Sequence, residues 1–191
     1  SRGLGDVYKR QLLMLTLATQ KTESSKKNNL VFLIDVSGSM MSEDKLPLLK
    51  KAFSYLVGRL DGDDTVSIVT YSGKEEVVLD GCSGSKSERI LQAVNGLSAG
   101  GSTNGEAGLK MAYRLAEAHY IPNGNNRIFL ASDGDLNVGA SSVEEVRELV
   151  SEKKKSGVYL SVLGFGEGNY RDDMMAVSYT HLRAHETSLH L

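Results

Sequence analysis

The sequence predicts an α/β domain: a doubly wound, mostly parallel sheet with helices on both faces and one antiparallel edge strand. Three observations carry that prediction. Continuous apolar runs, LVFLID at 30–35 and IFLAS at 128–132, read as strands covered on both faces. Segments with helical spacing alternate with such strands, the pattern of right-handed crossovers in a parallel sheet. A chain of 191 residues, 40% hydrophobic and 24% charged, is long enough to bury the core such a sheet needs.

Taken in order, LLMLTLAT (12–19) reads as a short strand or the tail of an upstream module, and the polar stretch 19–29 as a connector. The strand from Leu30 follows. Residues 45–60 predict a helix, because Leu49, Ala52, Phe53, Leu56, Val57 and Leu60 fall at helical spacing and Pro47 is tolerable in its first turn. TVSIVTYS (65–72) predicts a strand, and EEVVLDG (75–81), after a tight Ser-Gly-Lys link, its antiparallel edge partner. Helices are expected over 87–97 and 104–120, separated by the glycine-rich loop SAGGSTNG. Asn126–Asp135 predicts a strand ending in acid. SSVEEVRELVSEKKKSG predicts a helix opened by a Ser142/Glu145 capping box and closed by Gly157. Val158–Gly166 predicts the next strand, and GNYRDDMMA the start of another helix.

The two ends read differently. Residues 1–11 and 177–191 resemble translations of opposite strands of one transposase-library adaptor, so they are set aside as scar. His181, His185 and Glu186, which would otherwise pass for a helical metal pair, go with them. Setting aside four of the 22 basic and two of the 24 acidic residues leaves 18 against 22, a net charge near −4. A mildly acidic segment without a basic stripe argues against nucleic acid as a partner. No apolar run reaches the ~20 residues of a membrane span, so membrane anchoring would have to come from flanking sequence. Cys82 stands alone, which excludes an internal disulfide and a cysteine-rich metal site; it reads as a loop or edge residue. His119 reads as a solvated surface residue near a helix end.

The chemistry gathers where strands end. Asp35, Ser37 and Ser39 alternate as the chain leaves the first strand, so one carboxylate and two hydroxyls can face one point. These hard oxygen donors suit magnesium better than zinc or copper. The same stretch also suits a serine-rich turn capping the next helix. Thr103, in GGSTNG, offers another hydroxyl at a helix start, or simply an N-cap. Asp133 ends a buried strand, where a bare charge is costly unless paired or metal-bound; its Asp-Gly pair also suits a turn. Asp135 reads as a turn or supporting residue. If the strands ending at Asp35 and Asp133 are neighbours, their carboxylates meet in the crevice where ligands of such sheets sit.

DVSGSM, AGGSTNG and ASDGD stand in this order along the chain, and together they resemble the von Willebrand factor type A domain with its metal-ion-dependent adhesion site. The resemblance runs over about 30–176, with 12–29 left as strand remnant and connector, and lies toward bacterial extracytoplasmic members, some of them lipoproteins. It implies a Rossmann-like sheet, here truncated before its last strand. It implies metal ligation by Asp35, Ser37, Ser39, Thr103 and Asp133, with Mg2+ as the ion and Mn2+ or Ca2+ as alternatives. It implies a non-catalytic, protein-binding function in which an acidic side chain of the partner completes the ion's shell. Two alternatives stand beside it. One is a metal-assisted hydrolase, although the position two after Asp35 holds Ser37 rather than the second acid a phosphoaspartate mechanism wants. The other is a regulatory part of an ATPase or chelatase assembly.

Overall fold

The computed structural model describes residues 26–102, 105–133 and 140–165. Along the chain these form β1 (Asn28–Asp35), a 3-10 turn (Gly38–Met41), α1 (Leu46–Val57), β2 (Thr65–Tyr71), β3 (Glu75–Ser83), α2 (Ser87–Asn95), α3 (Gly105–Ala118), β4 (Asn125–Ser132), α4 (Ala140–Lys155) and β5 (Val158–Gly164). The sheet order is β3-β2-β1-β4-β5, parallel except for β3, which runs antiparallel to β2 at one edge. The predicted fold class therefore holds among the described residues.

The continuous apolar run of β1 has the predicted cause. Leu30, Phe32 and Ile34 pack on one face with Leu49 and Phe53 of α1 and Ile90 and Val94 of α2. Val31 and Leu33 pack on the other with Leu109, Ala112 and Tyr113 of α3 and Val150 of α4. Successive side chains of a strand point to opposite faces, so a central strand between two helical layers must be apolar at every position. Phe32 anchors the first layer: its ring meets Phe53 edge-on at 4.5 Å and stacks on Phe129 of β4 at 5.2 Å. Each such fully buried side chain contributes about 2 kcal/mol of transfer free energy.

On the second face, α3 makes a close approach to β1 and β2 at Gly108. A Cβ at Gly108 would stand 2.9 Å from the Tyr71 Cβ and 3.1 Å from Leu33 Cδ1. Glycine is thus what lets this helix descend onto the sheet.

Several boundaries differ from expectation. β1 begins at Asn28, so Asn28 and Asn29, expected in the connector, are buried strand residues. α1, α2 and α3 end two or three residues short of the apolar pattern, α1 and α2 stopping before Gly58 and Gly96. α4 starts at Ala140, which puts Ser142 inside the helix rather than at its cap; its other end is as expected, with Gly157 at φ +88°. Cys82 lies on the edge strand β3, the second of its two expected places, and is buried against the α1–α2 face of the core. The expected elements at 12–19 and 168–176 lie outside the described residues, as does Asp135. Among the described residues no helix is long and apolar enough to cross a membrane.

Candidate metal centre

β1 and β4 are neighbours in register, with Ile34 opposite Ala131, so the carboxyl ends of these strands bring Asp35 beside Ser132 and Asp133. Asp35 has no solvent exposure. Its carboxylate accepts the Ser37 backbone N–H at 2.8 Å and lies 3.4 Å from the Ser132 hydroxyl. Burial pushes the Asp35 pKa above the usual carboxylate range; the hydrogen bonds to Ser37 oppose this, and the charge of Asp133 adds to it. Two carboxylates that raise the free energy of each other's ionised form, one of them wholly desolvated, make a strongly favourable setting for a cation.

The hydroxyls converge as expected, by a different route. Ser37 is extended, at φ −63° and ψ 165°, but Ser39 lies inside the 3-10 turn, so strand alternation alone does not align them. The turn carries Ser39 back until the two hydroxyl oxygens are 3.0 Å apart. Ser37 is buried, whereas Ser39 is exposed at the rim.

Thr103 lies outside the described residues, but the loop that leads to it is pinned against the same site. Gly100 N–H donates to the Val36 carbonyl at 2.7 Å, and Gly38 N–H to the Gly101 carbonyl at 3.2 Å. Two backbone bonds therefore tie the glycine-rich loop to the Asp-x-Ser-x-Ser turn. Of the five predicted ligands, Asp35, Ser37, Ser39 and Asp133 are in the described structure and share the β1–β4 crevice.

Three residues at the site went unread in the sequence. Ser132 is one. Tyr71, opposite Asp35 on β2, is another: its hydroxyl is buried beside Asp35 and Ser132, and burial first, then the Asp35 charge, pushes its pKa well up. The third is Lys45, whose ammonium donates to Asp133 Oδ2 at 2.9 Å and to the Ser39 carbonyl at 2.9 Å. Nothing local in the sequence marks Lys45, because its partner Asp133 lies 88 residues away. His119 is not simply solvated. It bonds Asp80 of β3 at 2.6 Å, near the end of the sheet opposite the crevice.

The donor set is chemically coherent: carboxylates and hydroxyls, and no cluster of three or more His, Cys, Asp or Glu side chains among the described residues. It fits a hard divalent cation such as magnesium, which takes few carboxylates and keeps other oxygen ligands.

Comparison with known proteins shows the family. The sequence profile of the von Willebrand factor type A domain matches residues 29–187, a range that runs past 176 into the stretch read as adaptor-derived. The Escherichia coli protein YfbK is 45% identical over 156 residues, covering 82% of this chain and 27% of YfbK. Human inter-alpha-trypsin inhibitor heavy chain H3 is 30% identical over 151 residues, 74% of this chain and 17% of its own length. The chain thus spans about a quarter or less of these relatives. Among solved structures, the manganese-loaded Plasmodium vivax TRAP protein superposes with a TM-score of 0.65 at 20% identity, covering 80% of this chain and 62% of that one. The chain belongs to the von Willebrand factor type A domain family.

Proposed function

We propose that this chain is a divalent-cation-dependent protein-binding module, in which Asp35, Ser37, Ser39, Thr103 and Asp133 hold the ion and a partner's Asp or Glu side chain completes its shell. The observation that carries the reading is the buried Asp35 carboxylate at the end of β1, beside Asp133 and within one turn of two hydroxyls 3.0 Å apart. When bound, magnesium (or manganese or calcium) would supply a Lewis-acidic positive charge at the rim of the sheet. Asp35, fixed by the Ser37 N–H, would neutralise part of that charge from below. Ser37 and Ser39 are neutral donors, so among the described ligands only Asp35 and Asp133 would offset it, and Asp133 is itself paired with Lys45. Five protein positions on one side of a rim do not close an octahedral shell and exclude solvent as well, so a corner remains for an outside oxygen.

Two features support a macromolecular acid as that last ligand. The rim is exposed at Ser39 and Met41, the latter 67% exposed. Next to it Met40, Met41, Leu46, Pro47 and Ala99 line an apolar groove of about 270 Å³, which gives a partner chain something to bury beside its carboxylate. TRAP, which shares the fold, is manganese-loaded, which supports a divalent ion as the ligand of this fold. Resemblance favours an extracytoplasmic setting for the parent protein.

The test is calorimetric titration of Mg2+ into the wild type and Asp35→Ala. Binding by the wild type, lost by more than about a hundredfold in the variant, is expected, because a buried carboxylate ligand is removed. Equal affinity of the two proteins contradicts the assignment.

A further inference from the structure

Lys45 is a permanent cation at a site whose donors suit a cation. Its stem crosses from the residue before α1 to the end of β4, its side chain is 21% exposed, and its ammonium bridges Asp133 Oδ2 and the Ser39 carbonyl, each at 2.9 Å. Asp133 is more buried still, its side chain 7% exposed. Such a partly desolvated pair, one partner of which belongs to the proposed ligand set, cannot be indifferent to an incoming ion.

The charges of the described residues make the consequence definite. Asp35 and Asp133 bring two negative charges, which would cancel a dication and leave no electrostatic demand for a partner's acid. Lys45 returns one positive charge. Resting on the metal reading above, we propose that Lys45 is a positioning residue that offsets Asp133, so that the loaded site keeps a net positive charge reserved for an outside carboxylate. The price is weaker affinity for the ion itself. The lysine thus trades metal affinity for acid recognition, and it ties the Ser39 turn to the β4 end by a contact that needs no metal.

Three effects follow from removing the ammonium. Metal affinity rises, because a like charge near the ion is gone. Affinity of the loaded site for a carboxylate falls. Stability in EDTA falls, because Asp133 loses the Lys45 ammonium while remaining buried. Repulsion is expected to outweigh lost organisation: like charges a few ångströms apart at a partly buried site exceed the worth of one hydrogen bond to a carbonyl.

The experiment compares wild type, Lys45→Met, Lys45→Gln and Lys45→Arg, with Asp35→Ala as control. Mg2+ affinity is read by calorimetry, and melting temperature in EDTA by calorimetry or circular dichroism. Acetate binding is read as loss of water-proton relaxation enhancement by the Mn2+-loaded protein. The Met and Gln variants should bind Mg2+ about tenfold more tightly than wild type, need several-fold more acetate, and melt lower in EDTA; Arg should behave like wild type. Gln, which keeps a donor for the Ser39 carbonyl, is read if Met does not fold. Unchanged or weaker Mg2+ binding in the neutral variants, or an unchanged acetate requirement, overturns the inference. If the wild type itself binds no Mg2+, the metal reading fails instead, and the two failures are distinguishable.

Discussion

Two buried aspartates sit at opposite ends of the same sheet, and the chain treats them differently. Asp64, 3% exposed, lies at the amino end of β2. Its Oδ1 accepts from Asn28 N–H and Asn28 Nδ2, both at 2.9 Å, and its Oδ2 accepts from Asp61 N–H at 2.9 Å. Next to it, Asn29 Nδ2 donates to the Ala116 carbonyl and to Asn126 Oδ1, while Asn126 bonds both the N–H and the carbonyl of Ile121. Around Asp64 that end is closed and stitched into the backbone, while Asn29 Oδ1 stays buried without a hydrogen bond. Asp35, equally buried at the carboxyl end of β1, receives one backbone bond, from the Ser37 N–H; its other neighbouring donors are hydroxyls, those of Ser37, Ser132 and Tyr71, and it faces the like charge of Asp133. The lesson is that burial of an acid does not mark a site. What distinguishes Asp35 is a second acid beside it and hydroxyls where Asp64 has backbone and amide donors.

Substitutions sharpen this contrast. The largest effect is expected at the closed end. Asp64→Asn would turn an NH2 toward the Asp61 N–H or the Asn28 donors, leaving donor against donor in a buried place, and should cost about 3 kcal/mol in urea denaturation. Its Mg2+ affinity should equal wild type, since Asp64 lies at the other end of the sheet. Next, Gly108→Ala forces a Cβ against Tyr71 and Leu33 and should cost about 2 kcal/mol by the same measurement, because backbone must move. The smallest effect has the opposite sign. Asp35→Asn keeps an acceptor for the Ser37 N–H and removes a desolvated charge beside Asp133, so in EDTA it should gain about 1 kcal/mol. A loss of stability in EDTA would mean that Asp35 is structural in the manner of Asp64, and the contrast would collapse.

Most of the fold was legible, and the reason is visible in β1 and β4. A strand covered on both faces has no polar alternation to confuse it, and its length is bounded by the aspartates. What escaped was polar structure that serves packing. Asn28 and Asn29 look like connector residues, and only their partners Asp64, Asn126 and the Ala116 carbonyl, 36 to 97 residues away in sequence, make them strand. Ser142 and Glu145 match a capping box, yet the helix backbone begins at Ala140, since local pattern does not fix where a helix starts. At the candidate site, Asp35, Ser37 and Ser39 stand out in the sequence because they are close together, and Asp133 because a carboxylate ends a buried strand. Ser132, Tyr71 and Lys45 were not, because each contributes through a neighbour on another strand or helix: Ser132 through Asp35, Tyr71 through register, Lys45 through Asp133.

The central claim is that one ion sits among these oxygens, and anomalous diffraction from crystals grown in Mn2+ tests it most directly. A single strong peak is expected about 2–2.5 Å from the Ser37 and Ser39 hydroxyl oxygens, between the ends of β1 and β4. A well-ordered crystal with no peak in that crevice, or with its manganese bound elsewhere, would contradict it.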